Sequence, residues 1–421
     1  MKQNTSFGQA LLYGMPAGPL AMLGIPLYIY LPTYYYQLGV ELGVVGAMLL
    51  LARISDVFSD PLIGWLRDYS GPRGRYGLMI VGWFLLLIGL WQLLLPNGDV
   101  GALHLLLWAM WVYLAWTLIM IPYQALSAEV SQQHHLKTYY TAAREAFSMI
   151  GVVAVLVLPF LLPDPQDYRA VFALLYPLLA VSLSLSLLLM IWHLRLVDTS
   201  SVANAKAKLR SKFSVKIIRV IWRDAASRRL LPAYFLNSLA NGLSATLFLL
   251  FVNIYLQLTD YTGLLLLVFF FTGVVALPFW VLLSKKVGKY TAWRMSMMSA
   301  CLSFIWVFFI EPGSLWVFAF ISGFAGLSVG ADVALPSSIQ ADIAQDLSIK
   351  NGALSGLMFG IWGMLTKLAL ALAVGLSFPV LDWFGLEQQT IQSQYALVWL
   401  YAGVPIVIKL YVFYSLRESV T

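Results

Sequence analysis

Read for hydrophobic and polar positions, the chain alternates long apolar stretches with short polar ones twelve times. Stretches of about 20 apolar residues are what a helix needs to cross about 30 Å of hydrocarbon. The pattern predicts spanning helices over approximately 8–37, 42–66, 77–96, 102–126, 141–162, 170–194, 231–258, 261–283, 293–311, 315–341, 351–379 and 395–416. The longest polar stretch, Arg195 to Arg229, divides them six and six. The expected organisation is an N-terminal half 1–194, a linker 195–230 and a C-terminal half 231–421. The linker sequence SSVANAKAKLRSKFSVKIIRVIWRD reads as a loop followed by a basic amphipathic helix lying on an anionic leaflet. The fold class is all-α, a polytopic membrane protein of twelve transmembrane helices in two six-helix halves.

Composition supports this reading. The 421 residues are 61% hydrophobic and 11% charged, with mean hydropathy +0.81, which a soluble domain of this length would not tolerate. Basic residues are retained on the cytoplasmic side of a membrane. With both termini inside, cytoplasmic segments hold Lys2, Arg67, Arg73, Arg75, Lys137, Lys285, Lys286, Lys289, Arg294, Lys350 and Arg417, while the opposite loops hold only Arg169. The linker adds ten basic residues against Asp198 and Asp224, so it is cytoplasmic. This asymmetry accounts for the net charge of +7 without a nucleic-acid partner. The lone Cys301 excludes an intrachain disulfide. The first apolar segment is too long for a cleavable signal and reads as the first spanning helix. The expected setting is a bacterial inner membrane, with lipids as neighbours and the chain as a monomer.

Ionisable residues inside the apolar stretches carry the chemistry. Arg53, Asp56 and Asp60 lie in the second span, and their spacings of three and four put them on one helix face. Charges at membrane depth cost about 2.5 to 3.5 kcal/mol each on insertion scales, so they face water or each other. Two acids against one base leave a net negative charge, which fits a cation site; a structural ion pair between helices is the other reading. Asp332 lies ten residues from Asp342, roughly 15 Å along a helix. Lys367 lies sixteen residues from Asn351, roughly 24 Å, too deep to snorkel easily. A pair between Asp332 and Lys367 is expected. The halves also echo each other: MIPYQALSAEV from Met120 and VALPSSIQADI from Val333 each place a proline about two turns before an Ala-acid pair, Ala128-Glu129 and Ala341-Asp342. Glycines and prolines punctuate the first and tenth spans, as moving or closely packed helices require.

Two six-helix halves joined by a cytoplasmic linker is the plan of the major facilitator superfamily, with a site near the midplane. Within it, DVFSDPLIGWLRD followed by GPRGRYG resembles the glycoside, pentoside and hexuronide:cation symporters of the melibiose permease type. IPYQAL, AAREAF, LPSSIQADI and TKLALAL extend the resemblance over most of the chain. It implies that Asp56 and Asp60 are cation-binding carboxylates, for Na+ or H+ as coupling ion and with no other cofactor. Oxygen ligands suit sodium, and a desolvated carboxylate can take a proton instead. It also places Arg144 and Lys367 near substrate and cation, although Arg144 by itself also reads as an interfacial, snorkelling residue. Arg73 and Arg75 are expected to gate the cytoplasmic side by pairing with Glu129 or Glu145.

The chain departs from this family where sugar hydroxyls would be held. The first span has no acid before Glu41, and Met120 occupies the position of the carboxylate on the fourth. The expected lining is instead Tyr34, Tyr35, Tyr36, Trp116, Met120, Tyr123 and Gln124, with Asp332 as a further substrate contact. Aromatic and thioether surfaces suit an amphiphilic substrate, and also ordinary lipid-facing filling. Lysolipid symporters resembling the same family supply the alternative to a small organic solute. A membrane enzyme is excluded because His104, His134, His135 and His193 are not paired with an acid at catalytic or metal-ligand spacing. A passive channel or scramblase is the alternative from another class, and it would need no cation gradient.

Overall fold

The computed structural model of the chain describes residues 7–97, 100–129, 134–163, 167–201, 215–385 and 390–416, and every regular element among them is helical. The first expected span is cut into α1 (Phe7–Gly14), α2 (Ala17–Ala21) and α3 (Leu31–Gln37), with a wider π-helical turn at Pro26–Tyr30. Pro16, Pro19, Pro26 and Pro32 explain the interruptions, since each removes a backbone donor and crowds the preceding turn. The second and third spans are the limbs of α4 (Leu42–Leu94), which bends at Gly71, where φ is 69°. A side chain is strained at that φ, which is why the turn of the GPRG sequence uses glycine there.

The chain continues through α5 (Ala102–Glu129), α6 (His134–Val157), α7 (Tyr168–Ser201), the short α8 (Val215–Arg223) and α9 (Ala225–Leu250). It ends with α10 (Thr262–Val287), α11 (Lys289–Ile305), α12 (Leu315–Asn351), α13 (Ser355–Trp383), α14 (Ile391–Val398) and α15 (Val404–Ser415). Among the described residues, ten helical stretches are long and apolar enough to cross a membrane, from Gly74–Leu94 to Ile391–Ser415, and they match the third to twelfth expected spans. The first two differ in kind. One is the broken stretch 7–37, and the other is the first limb of α4, with Arg53, Asp56 and Asp60 in its middle.

That limb is inside-out relative to a helix of a soluble protein. Ile54, Phe58 and Leu62 are exposed, whereas Ala52, Asp56, Asp60 and Ile63 are buried. A lipid-facing helix has this pattern, because hydrocarbon rather than water covers the outer face.

The helices form two compact units. One comprises Met1–Val215 with Ala341–Met364, and the other Lys216–Gln340 with Leu365–Thr421. In the first, α1 and α2 pack on α6, and α5 packs along α4, around a core that includes Tyr13, Tyr35, Tyr123 and Phe172. In the second, π-helical turns at Phe251–Tyr255 and Trp399–Gly403 meet where the Phe251 and Tyr401 rings stack at 4.3 Å. Residues 202–214 of the expected linker, Lys2, Arg417 and the side chains of Arg73, His134 and His135 lie outside the described residues.

Candidate functional site

In the first unit, α4 and α5 bring three oxygen-bearing side chains together. Thr117 Oγ1 lies 3.1 Å from Asp56 Oδ1 and 3.0 Å from Asp60 Oδ1. Asp56 and Asp60 are one turn apart on the buried face of α4, so their carboxylates converge on one hydroxyl of α5. Exposure is 7% at Asp56, 1% at Asp60 and 0% at Thr117, so bulk water does not solvate the pair. A hydroxyl carries one proton. It therefore donates to one of the two carboxylates at a time, and the two acids share it. Among the described residues no three His, Cys, Asp or Glu side chains are placed to share a metal ion. A cation here would rest on two carboxylates and neutral oxygens, a donor set suited to a hard ion. Thr117 has no signal in the sequence, because a threonine in an apolar helix is ordinary.

The same unit holds a charged cluster at its basic end. Glu129, the last residue of α5, accepts hydrogen bonds from both Arg67 and Arg75 and from Ser355 Oγ at 2.8 Å. Asp68 accepts from Arg67 Nη1 at 3.0 Å and from the backbone N–H groups of Gly356 and Leu357, both at 2.7 Å. It thereby caps the N-terminus of α13, where free donors and the positive helix end favour an anion. A second tie joins Lys137 of α6 to Asp342 at 3.1 Å, to Gln345 and to the Ala341 carbonyl at 3.3 Å. Glu129 and Asp342 are the two acids of the repeated Ala-acid motif, so the internal echo is the signal that marks Asp342. Nothing in the spacing points to Arg67, Asp68 or Ser355 as partners. Glu145 is engaged by Arg144, whose Nε and Nη2 lie 2.9 and 2.5 Å from its Oε1.

The aromatic residues named from sequence are dispersed. Tyr34 packs edge-on against Phe172 at 5.1 Å, and Trp116 donates to the Leu20 carbonyl at 3.4 Å. Tyr123 donates to the Tyr13 carbonyl at 2.7 Å while Tyr13 donates back to the Tyr123 carbonyl at 3.0 Å, which locks α1 to α5. Met120 packs against the core, and Gln124, half-buried, keeps a sheltered Oε1 with no hydrogen-bond donor among the described residues.

In the second unit the structure corrects one expectation. Asp332 pairs with Lys409 of α15, not with Lys367. Its Oδ1 also accepts from Trp293 Nε1 at 3.1 Å and Ser296 Oγ at 3.3 Å, both on α11, and Lys409 donates to Asn237 of α9 at 2.9 Å. The rotation of α12 about its axis turns Asp332 toward α11 and α15. Depth alone does not choose between two lysines, and Lys409 also lies inside a span, the last one. All five side chains are nearly or fully buried.

Helices long and apolar enough to cross a membrane, with carboxylates buried at mid-helix and a charged cluster at one end, are features of integral membrane proteins that handle ions or solutes. The family model described as MFS/sugar transport protein matches residues 12–417, and the chain belongs to that family. It is 24% identical to the sodium-dependent lysophosphatidylcholine symporter 1 of Mus musculus, over 97% of this chain and 84% of the relative. It is likewise 24% identical to the uncharacterized symporter YnaJ of Bacillus subtilis (strain 168), over 88% and 81%. Among solved structures, a bacterial homologue of the iron transporter ferroportin in an outward-facing state superimposes with a TM-score of 0.70 at 15% identity, over 98% of this chain and 99% of that one. That likeness concerns the fold alone.

Proposed function

We propose that the chain is a cation-coupled symporter working by alternating access, with Asp56, Asp60 and Thr117 as the coupling-ion site. The observation that carries the reading is the convergence of two buried carboxylates on one hydroxyl. Such a group binds either a proton or a hard monovalent cation. The relatives named as sodium-dependent symporters favour sodium. In this reading the chain has twelve spans in two six-helix halves, 1–194 and 231–421, joined by a cytoplasmic linker, with both termini inside a bacterial inner membrane, and it acts as a monomer. The Glu129 and Asp342 clusters then seal the cytoplasmic side, and Arg144 and Lys367 take the places near the substrate that the family resemblance gives them.

A lysolipid or similar amphiphile is the second reading of the substrate, favoured by Met120 standing where the sugar symporters carry an acid. Reconstituted protein should accumulate its substrate when an inward sodium or proton gradient is imposed. Uptake of labelled melibiose and of a labelled lysophospholipid, each with sodium, with choline replacing sodium and with a pH step, tests this. Transport that never exceeds equilibration under any gradient would make the protein a passive channel or scramblase.

The seal carries its own prediction. Arg75→Ala removes one of the two guanidiniums on Glu129 and should favour the cytoplasm-open state. A cysteine at the buried Ser127 should then react with a cytoplasmic maleimide several-fold faster than in the Arg75 background. Equal rates would leave the cluster without a gating role.

A further inference from the structure

Glycines 356, 360 and 363 open α13 at spacings of four and three, which puts them on one helix face. That face lies on α4 between Asp60 and Asp68. A Cβ on Gly356 would stand 2.8 Å from Arg67 Cδ and from Asp68 Oδ1, and one on Gly360 would stand 2.5 Å from the Asp60 carbonyl oxygen. Small residues of this kind let two helices approach closely. Gly363 differs from both. The nearest atom to its Cβ position is a carboxylate oxygen of the proposed ion site, Asp60 Oδ2, at 2.5 Å, followed by Asp60 Cγ at 3.3 Å and Ile121 Cδ1 at 3.4 Å.

Resting on the cation-coupled reading above, we propose that Gly363 is a positioning residue for the ion site, its missing side chain fixing which way Asp60 turns its carboxylate. One oxygen of Asp60 occupies the space any other residue would fill with its first side-chain carbon, while the other lies 3.0 Å from Thr117. The carboxylate is therefore held between the α13 backbone on one side and α5 on the other. An added methyl has few ways to be accommodated. The helices cannot simply part, because the Asp68 cap ties α13 to α4 two turns away. The terminal torsion of an aspartate is soft, so the least costly response is rotation of the Asp60 carboxylate, which carries Oδ1 away from Thr117 and Asp56. A well-formed metal site keeps its ligand distances within about 0.2 Å of their usual values, so a carboxylate oxygen turned away is a poorer ligand. A proton follows the carboxyl group into a new orientation. Gly363 thus sets sodium affinity relative to proton affinity.

The test is a sodium titration of the purified full-length protein, following sodium-dependent thermal stabilisation with choline chloride holding ionic strength constant. Gly363→Ala should raise the half-saturating sodium concentration by about tenfold or more, the scale on which groups that orient a metal's ligands act, and lower the ratio of sodium-driven to proton-driven uptake. Gly330→Ala is the packing control, since the three atoms nearest its Cβ would be the Gly273 carbonyl oxygen at 2.7 Å and Leu277 Cγ and Cδ2 at 3.1 and 3.2 Å, none of them a carboxylate oxygen. It should alter stability without moving the sodium half-saturation. If Gly363→Ala folds poorly, Gly363→Ala with Ile121→Val frees the methyl's other neighbour and should still show the sodium defect. Unchanged sodium half-saturation, or failure of both variants to fold, overturns the inference. A wild-type protein that sodium does not stabilise overturns the coupling-ion reading itself, whatever Gly363→Ala does.

Discussion

Asp60→Asn should abolish gradient-driven accumulation while the protein still folds and inserts. The amide keeps the carboxylate's shape and can still accept the Thr117 hydroxyl, so the packing around this fully buried position is preserved. What it loses is the charge. One unit charge acting on a cation at about 4 Å is worth about 4 kcal/mol at an effective dielectric near 20, close to three decades of affinity. Uptake in proteoliposomes under an imposed sodium or proton gradient should therefore fall to the equilibrium level. Asp56→Asn should behave similarly, since both carboxylates face the same hydroxyl. Accumulation by both single mutants at wild-type level would remove the ion site from α4.

The second large effect is expected in the other unit and on stability. Asp332→Asn leaves Lys409 buried without its counter-charge, and Lys409→Met leaves Asp332 in the same position. Removing one partner of a buried pair costs about 3 to 5 kcal/mol, mostly as the penalty on the charge left behind. Each single mutant should therefore lose that much in equilibrium or thermal unfolding. Asp332→Asn combined with Lys409→Met removes both charges, and should lose less than either alone. The amide introduced by Asp332→Asn could still accept from Trp293 and Ser296, so the residual cost is that of Asn237 losing its donor. Transport that recovers along with stability in the double mutant would identify the pair as a brace joining α9, α11, α12 and α15. Stability without transport would instead give the pair a part in the cycle. Strictly additive losses would mean that the two charges do not sense each other.

Periodicity along the chain was enough to place most of the helices and to put Asp56 and Asp60 on one face. Both follow from local geometry, because the helix turn is fixed and the bilayer thickness a span must match varies only within a narrow range. The repeated Ala-acid motif likewise marked Glu129 and Asp342 before their partners were known. Partner choice was not legible in the same way. Thr117 meets Asp56 and Asp60, Lys409 rather than Lys367 holds Asp332, and Asp68 caps α13 nearly three hundred residues away. Each of these depends on how one helix is rotated and shifted against another. Side-chain interdigitation across the whole bundle sets that rotation, and hydropathy along the sequence does not encode it. The break-up of 7–37 sits between the two cases, since its prolines were visible but their combined effect on one long apolar stretch emerged only in the folded chain. The approach of Gly363 to Asp60 belongs wholly to tertiary structure, because only packing brings the backbone of α13 against a carboxylate of α4.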